Sequence, residues 1–87
     1  MGSYRLLIKT SARKEIEAAL DKTDRRRVVR TIEGLADQPR PPGCEKLSGS
    51  DDKYRVRQGS YRVVYTIDDD SRVVTIFKIG HRRDVYR

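Results

Sequence analysis

The chain has 87 residues, its charged side chains (38 %) slightly outnumber its apolar ones (36 %), and twenty Lys+Arg against thirteen Asp+Glu give a formal net charge of +7. One domain covering residues 1–87 is expected, with a core that buries only about 60–65 % of the surface its unfolded chain would expose. A lone Cys44 excludes an internal disulfide, and one cysteine beside one histidine is too few for a structural zinc site. No apolar run approaches the roughly 20 residues of a membrane-spanning helix. The opening Met1-Gly2-Ser3-Tyr4 lacks the charged and apolar regions of a secretion signal. A cytoplasmic protein with no membrane partner is expected.

Tyr4 to Lys9 is rich in branched apolar residues and closes on Thr10-Ser11, which reads as a short strand. A helix follows, with Ser11 as N-cap and Ala12, Ile16, Ala19 and Leu20 forming one apolar stripe. Thr23 and Asp24 restart the pattern as a second cap, and Val28, Ile32, Leu35 and Ala36, with Val29 beside them, make a second stripe, so two helices form a hairpin. Pro39-Arg40-Pro41-Pro42-Gly43 must end the second helix, because proline lacks a backbone donor and pushes the preceding residue out of the helical region. Cys44 to Lys53 reads as a loop anchored by Leu47.

Beyond that loop the period becomes two. Tyr54 to Arg57, Tyr61 to Ile67 and Val73 to Ile79 read as strands, turning at Gln58-Gly59-Ser60 and at Asp68-Asp69-Asp70-Ser71. Alternation sends Tyr54, Val56, Tyr61, Val63, Tyr65 and Ile67 one way and Arg55, Arg57 and Arg62 the other. The expected fold is therefore α+β: an N-terminal strand, a two-helix hairpin and a three-stranded antiparallel meander. Both helices pack on one face of a mainly antiparallel sheet and the other face stays open. Strand order is not determined by the pattern. Tyr54, Tyr61, Tyr65 and Phe77 are expected as core or sheet-packing residues.

Charge is unevenly spread. Residues 1–52 carry 11 basic and 9 acidic side chains, whereas residues 53–87 carry 9 and 4, so the C-terminal part is the one that favours a polyanion. Arg55, Arg57 and Arg62 are brought together by the turn at 58–60, and guanidinium matches phosphate in charge and shape. Their ordinary alternative is a solvated sheet face. His81 is the one side chain whose unperturbed pKa lies near neutrality, a candidate for proton transfer, or simply a surface residue at a strand end. Arg82 and Arg83 follow it as phosphate contacts or solvated charges. Tyr86 can stack on a base or anchor the tail on the sheet. Cys44 has no histidine near it in sequence, Asp68-Asp69-Asp70 is turn chemistry, and no nucleotide or metal cofactor motif occurs, so no cofactor is expected.

With Tyr61-Arg62-Val63-Val64-Tyr65 and Phe77-Lys78-Ile79-Gly80-His81-Arg82-Arg83-Asp84-Val85-Tyr86, the chain resembles toxins of the RelE/ParE superfamily, on the RelE side. The resemblance runs along essentially the whole chain and takes in Lys46-Leu47-Ser48-Gly49. It implies a RelE-like microbial RNase fold. It also implies a ribosome-dependent mRNA endonuclease that cuts in the decoding A site, contacts rRNA and is neutralised by a RelB-like antitoxin. Residue by residue, it implies Arg62 and Arg82 at the scissile phosphate, Arg82 also at the leaving 5′ oxygen, and Tyr86 stacking on the nucleotide. Arg55 and Arg57 match a pair that is lysine in the best-known RelE toxins. An arginine does not give up a proton to act as base, so the identity of the general base stays open. His81 is expected to take part in activating the 2′-hydroxyl, with Arg55, Arg57 and Arg83 as substrate-binding residues. A metal-independent attack giving a 2′,3′-cyclic phosphate is then expected. Two other classes stay open: a ParE-like gyrase inhibitor and a non-enzymatic basic module that binds RNA or an acidic peptide. The charge further implies an acidic, partly disordered antitoxin that wraps the domain.

Overall fold

Among the described residues, five strands and two helices follow in the order β1 (Arg5–Ile8), α1 (Thr10–Ala19), α2 (Lys22–Gly34), β2 (Glu45–Lys46), β3 (Lys53–Gln58), β4 (Tyr61–Asp68) and β5 (Val73–His81). The structure, a computed structural model, describes residues 4–19, 21–47, 49 and 52–81, with backbone alone at Ala19 and His81. The sheet runs β1-β5-β4-β3-β2, with β1 parallel to β5 and every other pairing antiparallel. This is the expected α+β fold. It also supplies the strand order and adds β2, a two-residue edge strand inside the segment expected to be a loop, where Glu45 pairs with Arg55 and Lys46 with Tyr54.

The helix boundaries are set by local bonds. Asp21, in extended conformation, caps α2 by accepting from the Asp24 amide at 2.8 Å, so the cap falls two to three residues before Thr23 and Asp24. Helix α1 begins at Thr10, and Ser11 sits inside its first turn and sends its hydroxyl across to the Phe77 carbonyl at 3.4 Å instead of capping. Arg25 reaches back from α2 to the last turn of α1, where its Nε donates to the Ile16 carbonyl at 3.2 Å and a terminal nitrogen to that of Glu17 at 2.9 Å. A cation on otherwise orphaned carbonyls stabilises a helix C-terminus. Leu20 lies outside the described residues.

The two apolar stripes and the alternating strands meet in one core. Ala12 and Ile16 of α1, with Val28, Ile32 and Leu35 around α2, close on Val56, Val63, Tyr65, Ile67, Val74, Ile76 and Ile79 of the sheet. Each buried large aliphatic contributes about 1.5–3 kcal/mol by leaving water. Phe77 departs from this set. The pairing slips between Val64 and Tyr65, which oppose Lys78 and Ile76, so Phe77 is an extra residue in β5. A bulge re-aims side chains. The Phe77 ring is flanked by the ammonium groups of Lys9 at 4.9 Å and Lys53 at 5.5 Å from its centroid, outside the buried cluster.

The proline segment is bolted to one end of the sheet. The buried Tyr65 hydroxyl donates to the Pro39 carbonyl at 2.7 Å, and burial raises this phenol's pKa well above the ordinary tyrosine value. Arg40 lies over the Tyr54 ring at 5.2 Å and grips the Asp69 carboxylate at 2.9 Å, while the Tyr4 hydroxyl donates to the same carboxylate at 2.7 Å. Tyr54 in turn stacks on Tyr65 with centroids 6.0 Å apart. Two segments distant in sequence, at Tyr4 and Arg40, thus converge on Asp69.

Arg40 first, and then Tyr4, holds the Asp69 carboxyl below the usual aspartate range. A carboxyl with a depressed folded-state pKa adds stability above its unfolded value, about pH 4, and loses it as pH falls through the lower folded value. Asp69→Asn should therefore lower the thermal midpoint at neutral pH and narrow its gap from wild type below pH about 4. Parallel melting curves for the two proteins across that range would contradict the clamp.

Candidate functional site

The site begins with a turn. Gly59 occupies φ 61° at the first position of the two-residue connection between β3 and β4, a left-handed value that glycine adopts without strain. That turn sets the register: Gln58 opposes Tyr61, Arg57 opposes Arg62, Val56 opposes Val63 and Arg55 opposes Val64. Directly opposed residues share a face. Val56 and Val63 point into the core, so Arg55, Arg57 and Arg62 occupy the face opposite the helices, as their alternation predicts.

There they line a basin of about 310 Å³ together with Pro42, Gly43 and Glu45. Arg62 is its base: only 8 % exposed, with Nε sealed from solvent. A buried guanidinium beside two others is costly without anionic charge nearby. Glu45 provides that charge. Its Oε2 accepts from Arg55 at 2.7 Å, with the two side chains 60 % and 20 % exposed. The Arg55 hydrogen bond, reinforced by the charge of Arg55 and then of Arg57 and Arg62, lowers the Glu45 carboxyl below the ordinary glutamate value. A carboxylate so depressed is a weak proton acceptor and acts as an internal counter-ion.

Glu45 is the residue that sequence reasoning missed. It sits in a segment that reads as a loop, ten positions from Arg55, and only the short β2–β3 ladder puts the two side by side. A cue existed: Glu45 is the one acidic residue between Asp37 and Asp51.

Strand β5 completes the frame. Gly80 opposes Arg62 and His81 opposes Tyr61, so the strand end that runs on to the tail lies next to the rung that carries Arg62. The His81 side chain, Arg82, Arg83 and Tyr86 lie outside the described residues. The structure brings together Arg55, Arg57 and Arg62 of the expected site residues.

Residues 6–86 match the model of a family described as ParE toxin of type II toxin-antitoxin systems, parDE. The chain belongs to that family. Among its relatives, toxin RelE1 of Methanocaldococcus jannaschii is 41 % identical over 59 residues, 64 % of this chain and 66 % of its own length. Toxin RelG of Mycobacterium tuberculosis is 39 % identical over 46 residues, 53 % of this chain and 49 % of its own. These matches span less than two thirds of those relatives. Solved structures align more fully. The RelE–RelB complex of Pyrococcus horikoshii gives a TM-score of 0.83 at 31 % identity, covering 94 % of this chain and 98 % of the matched one. The isolated E. coli RelE toxin gives 0.78 at 30 % identity over 95 % and 90 %. Within the toxin family the chain is thus RelE-like in sequence and fold.

The Arg55–Glu45 pair makes a direct prediction. An NMR titration of side-chain carboxyls should place Glu45 below the ordinary glutamate pKa in the wild type and return it toward that value in Arg55→Ala. An unshifted wild-type Glu45 would show that the pair does not form.

Proposed function

We propose that the protein is an endoribonuclease toxin that cuts mRNA in the decoding site of the ribosome and is neutralised by a RelB-like antitoxin. The observation that carries this reading is the basin on the open sheet face, where the exposed Arg57 and the half-buried Arg55 flank the buried Arg62. Such a triad fits a phosphodiester and the extra negative charge of its pentavalent transition state. The sequence and fold similarity to RelE toxins supports the same reading.

The nucleophile is the substrate's own 2′-hydroxyl, so the reaction does not call for a metal-bound water. The 2′ oxygen attacks the adjacent phosphorus in line, the bond to the 5′ oxygen breaks, and the products are a 2′,3′-cyclic phosphate and a 5′-hydroxyl end. Arg62 stabilises the charge that develops on the phosphoryl oxygens, while Arg55, Arg57 and Arg83 hold the flanking phosphates. In this reading His81 takes the 2′-hydroxyl proton, Arg82 stabilises the negative charge on the leaving 5′ oxygen, which takes its proton from solvent, and Tyr86 stacks on the nucleotide to align the attack. Arg55 must exchange Glu45 for phosphate when RNA binds, which sets a threshold against loosely held anions. An open basin grips one strand from one side only, and the decoding site would supply the other side.

A second reading rests on the ParE description of the matching family: inhibition of DNA gyrase, which needs no cleavage chemistry. One experiment separates them. Cleavage of an mRNA with and without ribosomes, read by mapping 5′ ends, should show cuts only with ribosomes. Arg62→Ala should lower the rate by about 10²–10³-fold, as expected for removing a donor to a developing oxyanion, and His81→Gln by about 10²-fold or more. Absence of cuts together with blocked supercoiling would establish the gyrase reading. Full activity of His81→Gln would remove that residue from proton transfer.

The antitoxin is expected to be acidic and to cover the basic basin. RelE–RelB complexes are the solved state of several of the matched toxins. Between about 0.1 and 1 M salt the Debye length falls from about 10 to 3 Å, so the affinity of toxin for antitoxin should fall by at least tenfold across that range in a calorimetric titration. A salt-independent affinity would mean that apolar burial dominates the complex.

A further inference from the structure

Strand β1 stops short. Its last residue, Ile8, pairs with Ile76, whereas β5 runs on to His81, so beyond Ile76 this edge of β5 has no neighbouring strand among the described residues. Exposed ladder groups must find partners, and a buried amide without one is strongly disfavoured. The chain leaving β1 supplies them. The Lys9 amide donates to the Ile76 carbonyl at 2.9 Å, the Ser11 hydroxyl to the Phe77 carbonyl at 3.4 Å, and the Ile79 amide donates to Glu15 Oε1 at 3.2 Å. Ser11 and Glu15 are four residues apart on α1, on one face of the helix. Helix side chains therefore continue the ladder that β1 abandons.

The last of these bonds stands at a sensitive place. Ile79 is 1 % exposed and pairs with Val63, the next rung joins Gly80 to Arg62, and the chain then continues through His81 to Arg82 and Tyr86. Glu15 grips β5 one residue before the Arg62 rung, from the side away from β4. Its carboxylate is half-buried and its reach spans from the helix to the strand backbone. We propose that Glu15 is a positioning residue for RNA cleavage: by accepting from the Ile79 amide it fixes the end of β5 against the strand carrying Arg62, and with it the origin of the terminal segment. This rests on the nuclease reading above. Glu15 itself touches no substrate. Its effect is on alignment of the reacting groups, where displacements near 1 Å can lower a rate by about 10²-fold.

Three substitutions separate reach from charge. Glu15→Gln keeps an acceptor oxygen at the same reach without charge, Glu15→Asp keeps charge but falls one methylene short, and Glu15→Ala has neither. In the ribosome-dependent cleavage assay, Glu15→Ala and Glu15→Asp should lower kcat by about 10- to 100-fold with KM within about twofold of wild type, and Glu15→Gln should restore kcat. Hydrogen exchange at the Ile79 amide should quicken in the Ala and Asp variants and stay slow in Gln. If Glu15→Ala does not fold, the Asp and Gln pair carries the comparison. Wild-type kcat in Glu15→Asp, or a loss in Glu15→Gln as large as in Glu15→Asp, would overturn the proposal while leaving the nuclease reading intact. A wild-type protein that cuts no mRNA would end both.

Discussion

The arginine rung between β3 and β4 governs what the rest of this molecule must do. Arg57 and Arg62 are directly opposed across two antiparallel strands, with Arg55 two positions along, so three like charges share a small area of one sheet face. Like charges opposed in a sheet repel. Burial of Arg62 sharpens the conflict, because a desolvated guanidinium has lost the water that would screen it. Glu45 relieves part of it, and the two-residue strand β2 exists in the place where it delivers that carboxylate.

The remaining architecture holds this rung in place. Helices α1 and α2 cover only one face, so the core is a single layer of side chains between helices and sheet, and the opposite face is left for charge. A layer this thin cannot by itself hold the ends of a five-stranded sheet, and specific polar bonds secure both. At one end Tyr4, Arg40 and Asp69 tie the first residues, the proline segment and the β4–β5 turn together. At the β5 end, Lys9 just ahead of α1 and Ser11 and Glu15 on the helix act together as a surrogate strand. Both devices bridge long sequence separations, and so link the helical half of the chain to the strands that form the basin.

Much of this could be read along the chain. The meander and its polar face follow from a period of two, since successive side chains in a strand alternate whatever the fold. The helix stripes located Ala12, Ile16, Val28, Ile32 and Leu35, all of which are buried. The cap of α2 was misplaced because Asp21, Thr23 and Asp24 are all competent caps, and the choice among them depends on where the chain leaves α1. Phe77 was misplaced because one extra residue in β5 reverses the alternation, and a bulge leaves no mark in a pattern of apolar residues. Glu45 was missed for a related reason: two residues of strand carry no period at all.

By itself the amino-acid order determined the α+β class, the sharing of one face by Arg55, Arg57 and Arg62, and the kinship with RelE-like toxins. These are local or cumulative properties: periodicity, turn chemistry and motif identity are written in neighbouring residues. Tertiary structure alone decided the strand order, the parallel placement of β1 beside β5, the carboxylate of Glu45 among the arginines and the grip of Glu15 on Ile79. Each of those is a meeting of residues from separate elements. Such meetings depend on how the helices and the edge strands dock on the sheet, and a one-dimensional pattern does not contain that geometry.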